Sequence, residues 1–488
     1  AYNDAATGFD RLDWSNAFDL DADGTSDLLD PGASLPSPAD LTIDFTAGFE
    51  FRVSGSVTGT GGSGTELIAA GPVSISGSAE FALSRSTTDA DTDGDGTADL
   101  LGATLDQVAL SVTGASVVVS GVADLSVTGD LGLVRVTPSG ETTARYTALT
   151  LGTVTVTTNA VSGDFGLTGA VTIDDLAYND AATGFDRLDW TNAFDLDADG
   201  TSDLLDPGAS LPSPADLTID FIAGLEFRVS GSVTGTGGSG TELIAAGPVS
   251  ISGSAEFALS RSTTDVDTDG DGTANLLGAT LDQVALSVTG ASVVVSGVAD
   301  LSVTGDLGLV RVTPSGETTA RYTALTLGTV TVTTNAVSGD FGLTGAVTID
   351  DLDYNDAATG FDRLDWSSSF DFDADGTPDP LNPGASLPSP ADLTIDFAST
   401  LEFRVSGSVT GTGGSGTELI SAGPVSISGT AEFALSRSTT DVDTDGNGSA
   451  DLLGVTLDQV ALSVDDVSVV VSGVADLSVT GDLGLVLS

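Results

Sequence analysis

A repeat of 176 residues governs this chain: Ala1 to Leu176 returns as Ala177 to Leu352, and a third, incomplete copy runs from Asp353 to Ser488. The first two copies differ only at Ser15/Thr191, Thr46/Ile222, Phe49/Leu225, Ala90/Val266 and Asp99/Asn275. In a repeat array, each unit must tolerate a near-copy of itself as a neighbour, and stability comes from the units plus the interfaces between them. Duplication of this kind adds reach, spacing or valency. It points to structural material, with residues 1–176, 177–352 and 353–488 as the repeat units.

The charge balance sets the next limit. A formal net charge of -58 repels nucleic-acid phosphates and anionic membranes and makes cations the expected partners. Acidic chains of low hydrophobicity stay disordered, but 40% of these residues are hydrophobic and they are spread through every copy, so the chain is expected to fold. All thirteen basic residues are Arg, and Lys, His, Cys and Met are absent. Rigidity therefore comes from something other than disulfides, and an oxidising exterior is permitted. There is no initiator Met, no signal-peptide pattern and no apolar run near the ~20 residues of a membrane span. The expectation is a window on a longer array, or a processed fragment, with any export signal or anchor lying outside it.

Within a copy the pattern is that of strands. Ala115, Val117, Val119, Ala123, Leu125, Val127, Leu131 and Leu133 share one parity, and Ser116, Ser120, Asp124, Ser126, Thr128 and Asp130 share the other. This predicts a half-buried β surface, with Gly114, Gly121 and Gly129 at tight corners. A Val/Ile-Ser-Gly motif ends at Gly55, Gly77, Gly121, Gly163 and Gly231, with spacings of 22, 44, 42 and 68 residues. These are near multiples of 22, the size of one coil of a β-solenoid. The fold class expected is all-β, a repetitive elongated array, with solenoid-like stacking favoured over tandem β-sandwich domains, which would give much of the same alternation. The Pro- and Asp-rich stretch from Ala1 to Asp40 is expected to form a long ordered loop or a junction between units.

Two segments per copy carry a chemical signal. The first places Asp19, Asp21, Asp23, Thr25 and Asp27 at positions 1, 3, 5, 7 and 9 of a loop with Gly24 at position 6, followed by Asp30 at position 12. The second places Asp91, Asp93, Asp95, Thr97 and Asp99 in the same pattern, preceded by Asp89. Alternate carboxylates, a turn-forming glycine and a carbonyl at position 7 are the spacing by which a short loop wraps oxygen around a hard cation such as Ca²⁺. The second copy repeats them as Asp195, Asp197, Asp199, Thr201, Asp203 and Asp206, and as Asp265, Asp267, Asp269, Asp271, Thr273 and Asn275. The third does so as Asp371, Asp373, Asp375, Thr377, Asp379 and Asn382, and as Asp441, Asp443, Asp445, Asn447, Ser449 and Asp451. Asn at 275, 382 and 447 keeps a carbonyl oxygen while losing charge, as oxygen ligation would allow.

Over roughly ten residues per site these segments resemble the calcium loops of EF-hands, and more closely those of dockerins and thrombospondin type 3 repeats. The resemblance implies calcium, not a homologous domain. Position 12 departs from the EF-hand, being Asp30 in the first loop and Gly102 in the second, so the second site would draw on an outside ligand such as Asp89. Two plainer readings stand beside this one. Asp-Gly turns can simply be hydrated, and acidity without Lys can reflect adaptation to high salt.

Without His, Cys or Lys the chain cannot build a Ser-His-Asp triad, a thiol nucleophile, a Schiff base or an ordinary zinc site. The reading is a non-enzyme. Trp14, Trp190 and Trp366, one per copy just before the first loop, are expected to anchor that loop in a small core and not to stack on sugar. The row Thr153, Thr155 and Thr157 is read as a water-facing strand, not as an ice-binding surface. The whole chain resembles, in style, the tandem-repeat regions of giant prokaryotic surface and matrix proteins, including adhesins with calcium-stiffened repeats. That resemblance implies an extracellular or cell-surface structural repeat protein, a calcium-stabilised fibre or filament that self-associates or continues as a longer array. Its alternative is the stalk of a large calcium-dependent adhesin.

Overall fold

In the computed structural model the chain is all-β, and its strands pair antiparallel. Three 3-10 turns, at Pro31–Ser34, Pro207–Ser210 and Pro383–Ser386, are the only helical segments among the described residues. The structure describes all residues except 7–8, 59–65, 71–72, 93, 120–122, 162–168, 198, 236–241, 247–248, 296–298, 338–341, 344, 373–375, 412–417, 423–424, 446, 472–474 and 488. Among the described residues no helix is long and apolar enough to cross a membrane.

The first repeat supplies β1 (Phe49–Thr58), β2 (Glu66–Ala70), β3 (Val73–Ala90), β4 (Leu100–Val119), β5 (Ala123–Thr137), β6 (Tyr146–Leu151), β7 (Val154–Val161) and β8 (Gly169–Ala181). The ladder is fullest in the second repeat. There Val249–Val266 pairs with Leu276–Val295, which pairs with Ala299–Thr313; that strand meets both Tyr322–Leu327 and Val330–Val337, and both return to Gly345–Ala357. Consecutive strands thus run as long hairpins. Cross-strand chemistry fits this register: Arg261 stands opposite Asp282, and its Nε lies 2.6 Å from the carboxylate.

The glycines expected at corners sit inside strands. Gly114 lies within β4 and Gly129 within β5, while the equivalent Gly290 coincides with a register shift between Val288 and Ala291. They mark bulges, where an extra residue bends a strand without ending it. Gly121, Gly163 and the glycine-rich run 59–64 lie outside the described residues.

Two compact units are present. One comprises Ala1–Val118, Ser126–Val154 and Asp175–Phe227, the other Val119–Leu125, Thr155–Asp174 and Arg228–Ser488. In the first, β3 to β6 contribute Ala90, Leu105, Val134, Val136, Tyr146 and Ala148 to a core closed over by Leu188, Trp190, Phe194, Leu205, Ile219 and Phe221 from the start of the second repeat. In the second, the same arrangement joins Leu281, Val310, Val312 and Tyr322 to Leu364, Trp366, Phe370, Leu381 and Ile395. Packing therefore runs out of phase with the sequence repeat: the opening segment of one copy is the lid of the sheet before it. The Pro- and Asp-rich stretch is a junction.

The lid also decides which sheet face is core. Leu131 and Leu133 are only half-buried, whereas Gly132, Val134 and Val136 of the opposite parity are buried. A Cβ at Gly132 would stand 3.0 Å from Pro207 Cγ and 3.1 Å from Leu217 Cβ, so only glycine lets the lid approach the strand this closely.

One difference between copies is a natural substitution experiment. Where the second repeat begins with buried Ala177, the third begins with buried Asp353. Its carboxylate pairs with Arg404 and accepts from Thr326 Oγ1 at 3.2 Å, while Arg404 also holds Asp351 at 2.9 Å. Burial, then repulsion from Asp351, pushes the Asp353 carboxyl up against the pull of Arg404. The penalty is absent below the unfolded carboxylate pKa and develops in full once pH has risen past the folded one. Asp353→Ala is expected to be neutral or to stabilise by about 1–2 kcal/mol at neutral pH, because Arg404 keeps Asp351 as partner. The gain should vanish in acid, which urea unfolding at both pH values measures.

Candidate metal centre

The two Asp-rich segments fold into tight loops by satisfying their own amides. In the second repeat the Asp195 carboxylate accepts from Asp199 N–H at 3.2 Å and Gly200 N–H at 2.9 Å, and Asp203 closes the loop by accepting from Leu196 N–H at 2.7 Å. The first repeat repeats this through Asp19, Asp23, Gly24 and Asp27, with Leu20 N–H to Asp27 at 2.6 Å. Glycine at position 6 is required, since Gly24 takes φ of +89°. In the third repeat Asp371 accepts from Gly376 and Asp379 from Phe372, while Asp373 and Asp375 lie outside the described residues.

The second loop is the connection of the β3–β4 hairpin. Asp91 accepts from Gly94 and Gly96, both at 2.7 Å, and Asp99 accepts from Thr92 N–H at 2.9 Å. Asp93 lies outside the described residues. Asp267 and Asp443 play the part of Asp91, accepting from Gly272 at 2.8 Å and Gly448 at 2.7 Å. Asn275 keeps both bonds to Thr268 that Asp99 makes to Thr92, so losing that charge costs the turn nothing.

Four groups of carboxylates converge, each with ligand oxygens within 4.8 Å of one another: Asp19, Asp21 and Asp27; Asp195, Asp197 and Asp199; Asp267, Asp269 and Asp271; Asp443, Asp445 and Asp451. Each could hold a metal ion. At such separations each like-charged pair repels by about 1 kcal/mol even at the dielectric constant of water. Hydrogen bonds hold several of these groups ionised. The Thr25 hydroxyl keeps Asp23, and the Thr201 hydroxyl Asp199, below the usual carboxylate range. Burial pushes Asp267 up, but the N–H groups of Gly272, Gly270 and Asp269 outweigh it and leave its pKa lowered.

Other expected ligands are turned to neighbouring backbone. Asp30 Oδ1 accepts from Gly32 at 2.9 Å and Leu41 at 3.1 Å, capping the 3-10 turn; Asp206 and Asn382 do the same in their copies. This task needs only a carbonyl oxygen, which explains Asn at 382. Asp89, Asp265 and Asp441 each accept from the glycine at position 12 of the loop, Gly102, Gly278 and Gly454, at 2.7 to 2.8 Å. Position 5 is held alike throughout: Asp95 and Asp271 accept from Thr97 and Thr273 N–H, and Asn447 from Ser449 N–H. At position 7 of the first loop, Thr25 and Thr201 give their hydroxyls to Asp23 and Asp199.

Folding also joins loops that the sequence keeps far apart. Asp91 N–H donates to Ala193 O at 3.0 Å, and Asp267 N–H to Ser369 O at 3.1 Å. The hairpin loop of one repeat thus abuts the first loop of the next. Sequence reasoning missed the asparagine that fixes this junction. Asn179, fully buried, donates to Leu188 O at 2.9 Å and accepts from Trp190 Nε1 at 2.9 Å; Asn355 and Trp366 repeat the pair. An Asn eleven residues before each Trp was its only trace. The tryptophans are core anchors.

Comparison with protein-family models, with curated proteins and with solved structures finds no match for this chain.

Proposed function

We propose that this chain is an extracellular structural repeat protein, a fibre or cell-surface filament whose modules are fastened by Ca²⁺. The observation that carries the reading is the pairing of Asp-rich loops where one repeat packs on the next: Asp267 bonded to Ser369, and Asp91 to Ala193. A cation bound there would hold the lid segment to its sheet as well as neutralise clustered charge. Hard oxygen donors in loops of this spacing suit Ca²⁺ better than softer metals. The absence of His, Cys and Lys supports a non-catalytic role.

An elongated array is part of the proposal. Antiparallel hairpins between successive strands favour tandem sheet modules over solenoid stacking, whose coils pair parallel. The alternative is an adhesin stalk, which would use the same modules to project a binding domain. The purified chain, imaged and sedimented with Ca²⁺, separates the two: lateral bundles or filaments support the fibre, and a monodisperse rod supports the stalk. Calorimetry that detects no Ca²⁺ uptake would refute both.

A further inference from the structure

The lid segment occurs three times, and only two copies are seated. In the first unit Pro207 and Gly208 are buried, Leu211 and Leu217 are 4% and 1% exposed against Ala82 and Ala109, and Ser213 binds Glu80 through N–H and hydroxyl at 2.8 and 3.1 Å. In the second unit Leu387 and Leu393 sit on Ala258 and Ala285, and Ser389 binds Glu256 at 2.8 and 2.9 Å. A Cβ at Gly308 would meet Pro383 Cγ and Leu393 Cβ at 3.1 Å, as Gly132 meets Pro207 and Leu217.

The third repeat carries the same seat uncovered. Glu432, Ala434, Ala461 and Gly484 correspond to Glu80, Ala82, Ala109 and Gly132, and with Leu462 and Asp482 they line an open groove of about 650 Å³. A Cβ at Gly484 would meet nothing within 4 Å. The first repeat carries the same segment without a seat. Its 3-10 turn is formed, with Leu35 N–H bonded to Gly32 O at 3.1 Å, yet Leu35 and Leu41 are 46% and 52% exposed.

We propose that the groove on the third repeat binds the segment Asp30–Leu41 of a second copy of this chain. Pro31 and Leu41 would lie on Gly484, Leu35 on Ala434 and Ala461, and Ser37 on Glu432, as their counterparts do within each unit. The turn is already closed by Asp30, so little ordering entropy opposes docking. Groove and segment are different surfaces, so the contact is head-to-tail and propagates into a filament unless it closes a ring. This deepens the fibre reading and, in taking a second copy as occupant, rests on it.

The test is sedimentation of the full chain over a concentration series, at about 1 M salt, where the Debye length of about 3 Å suppresses repulsion between acidic chains. Two variants alter exposed positions: Gly484→Leu fills the groove, and Leu41→Asp spoils the segment. Wild type should grow with concentration. Each variant alone should sediment as a single chain, with association weakened by about thirtyfold or more, the scale of a hot-spot loss. Mixed in equal amounts, the two should form a dimer and nothing larger, because each retains one intact half. Wild type that stays a single chain, variants that associate like wild type, or a mixture no larger than its components would each overturn the interface. Ca²⁺ uptake, measured separately, can fail while the mixing pattern holds, and the reverse, so the two readings are distinguishable.

Discussion

Trp190→Ala should cost about 4 kcal/mol, while Trp14→Ala should cost no more than about 1 kcal/mol, although the two residues occupy equivalent positions in nearly identical sequence. Trp190 is fully buried in a closed core, and truncating a large buried aromatic side chain costs about 3–5 kcal/mol through lost transfer energy and the cavity left behind. The same change strips Asn179 Oδ1 of the indole N–H that satisfies it. Trp14 keeps the equivalent bond, to Asn3 at 3.0 Å, but lies half-exposed with no preceding sheet beneath it. Native-state hydrogen exchange across each junction gives the two losses separately. Equal losses would mean that the lid contributes little to module stability.

Removing Ca²⁺ with a chelator is expected to lower the melting temperature by about 10–20 °C. A ligand present at a hundred times its Kd stabilises by about 2.7 kcal/mol per site, so two sites in one module supply about 5 kcal/mol. For modules of this size each kcal/mol moves the melting temperature by about 2–4 °C. Aspartates must be ionised to bind, so the gain should be present above the ordinary carboxylate pKa of about 4 and be lost as pH falls through it. Lowered pKa values at Asp99 and Asp451, held by bonds from Thr92 and Thr444, act in the same direction: their contribution is full above the unfolded pKa and disappears as pH falls through the folded one. A melting temperature indifferent to chelator would refute the role of the ion. Recovery of the lost stability by NaCl alone would assign it to screening and to salt adaptation.

Much of the candidate site was legible beforehand because its determinants are local. Carboxylates at alternate positions around an Asp-Gly turn need only a dozen residues to arrange themselves, and in the described loops they converge as the spacing predicts. Asp30 shows the limit of such reading. Its twelfth position suggests a ligand, yet its Oδ1 is engaged by Gly32 and by Leu41, eleven residues on. Local spacing can show that an oxygen is nearby, but not which amide competes for it.

The alternation of small and β-branched residues by itself determined that this chain is all-β, and the Asp spacing determined where its loops gather charge, because both patterns act over a few residues. Only the tertiary structure decided which face of β5 is core and which tryptophans are buried. A strand offers two faces, and which one loses its water depends on what covers it; here the cover for Gly132, Val134 and Val136 is drawn from the repeat that follows. That choice is invisible to any window shorter than the repeat, which is why Trp14 and Trp190 read alike as sequence and differ as structure.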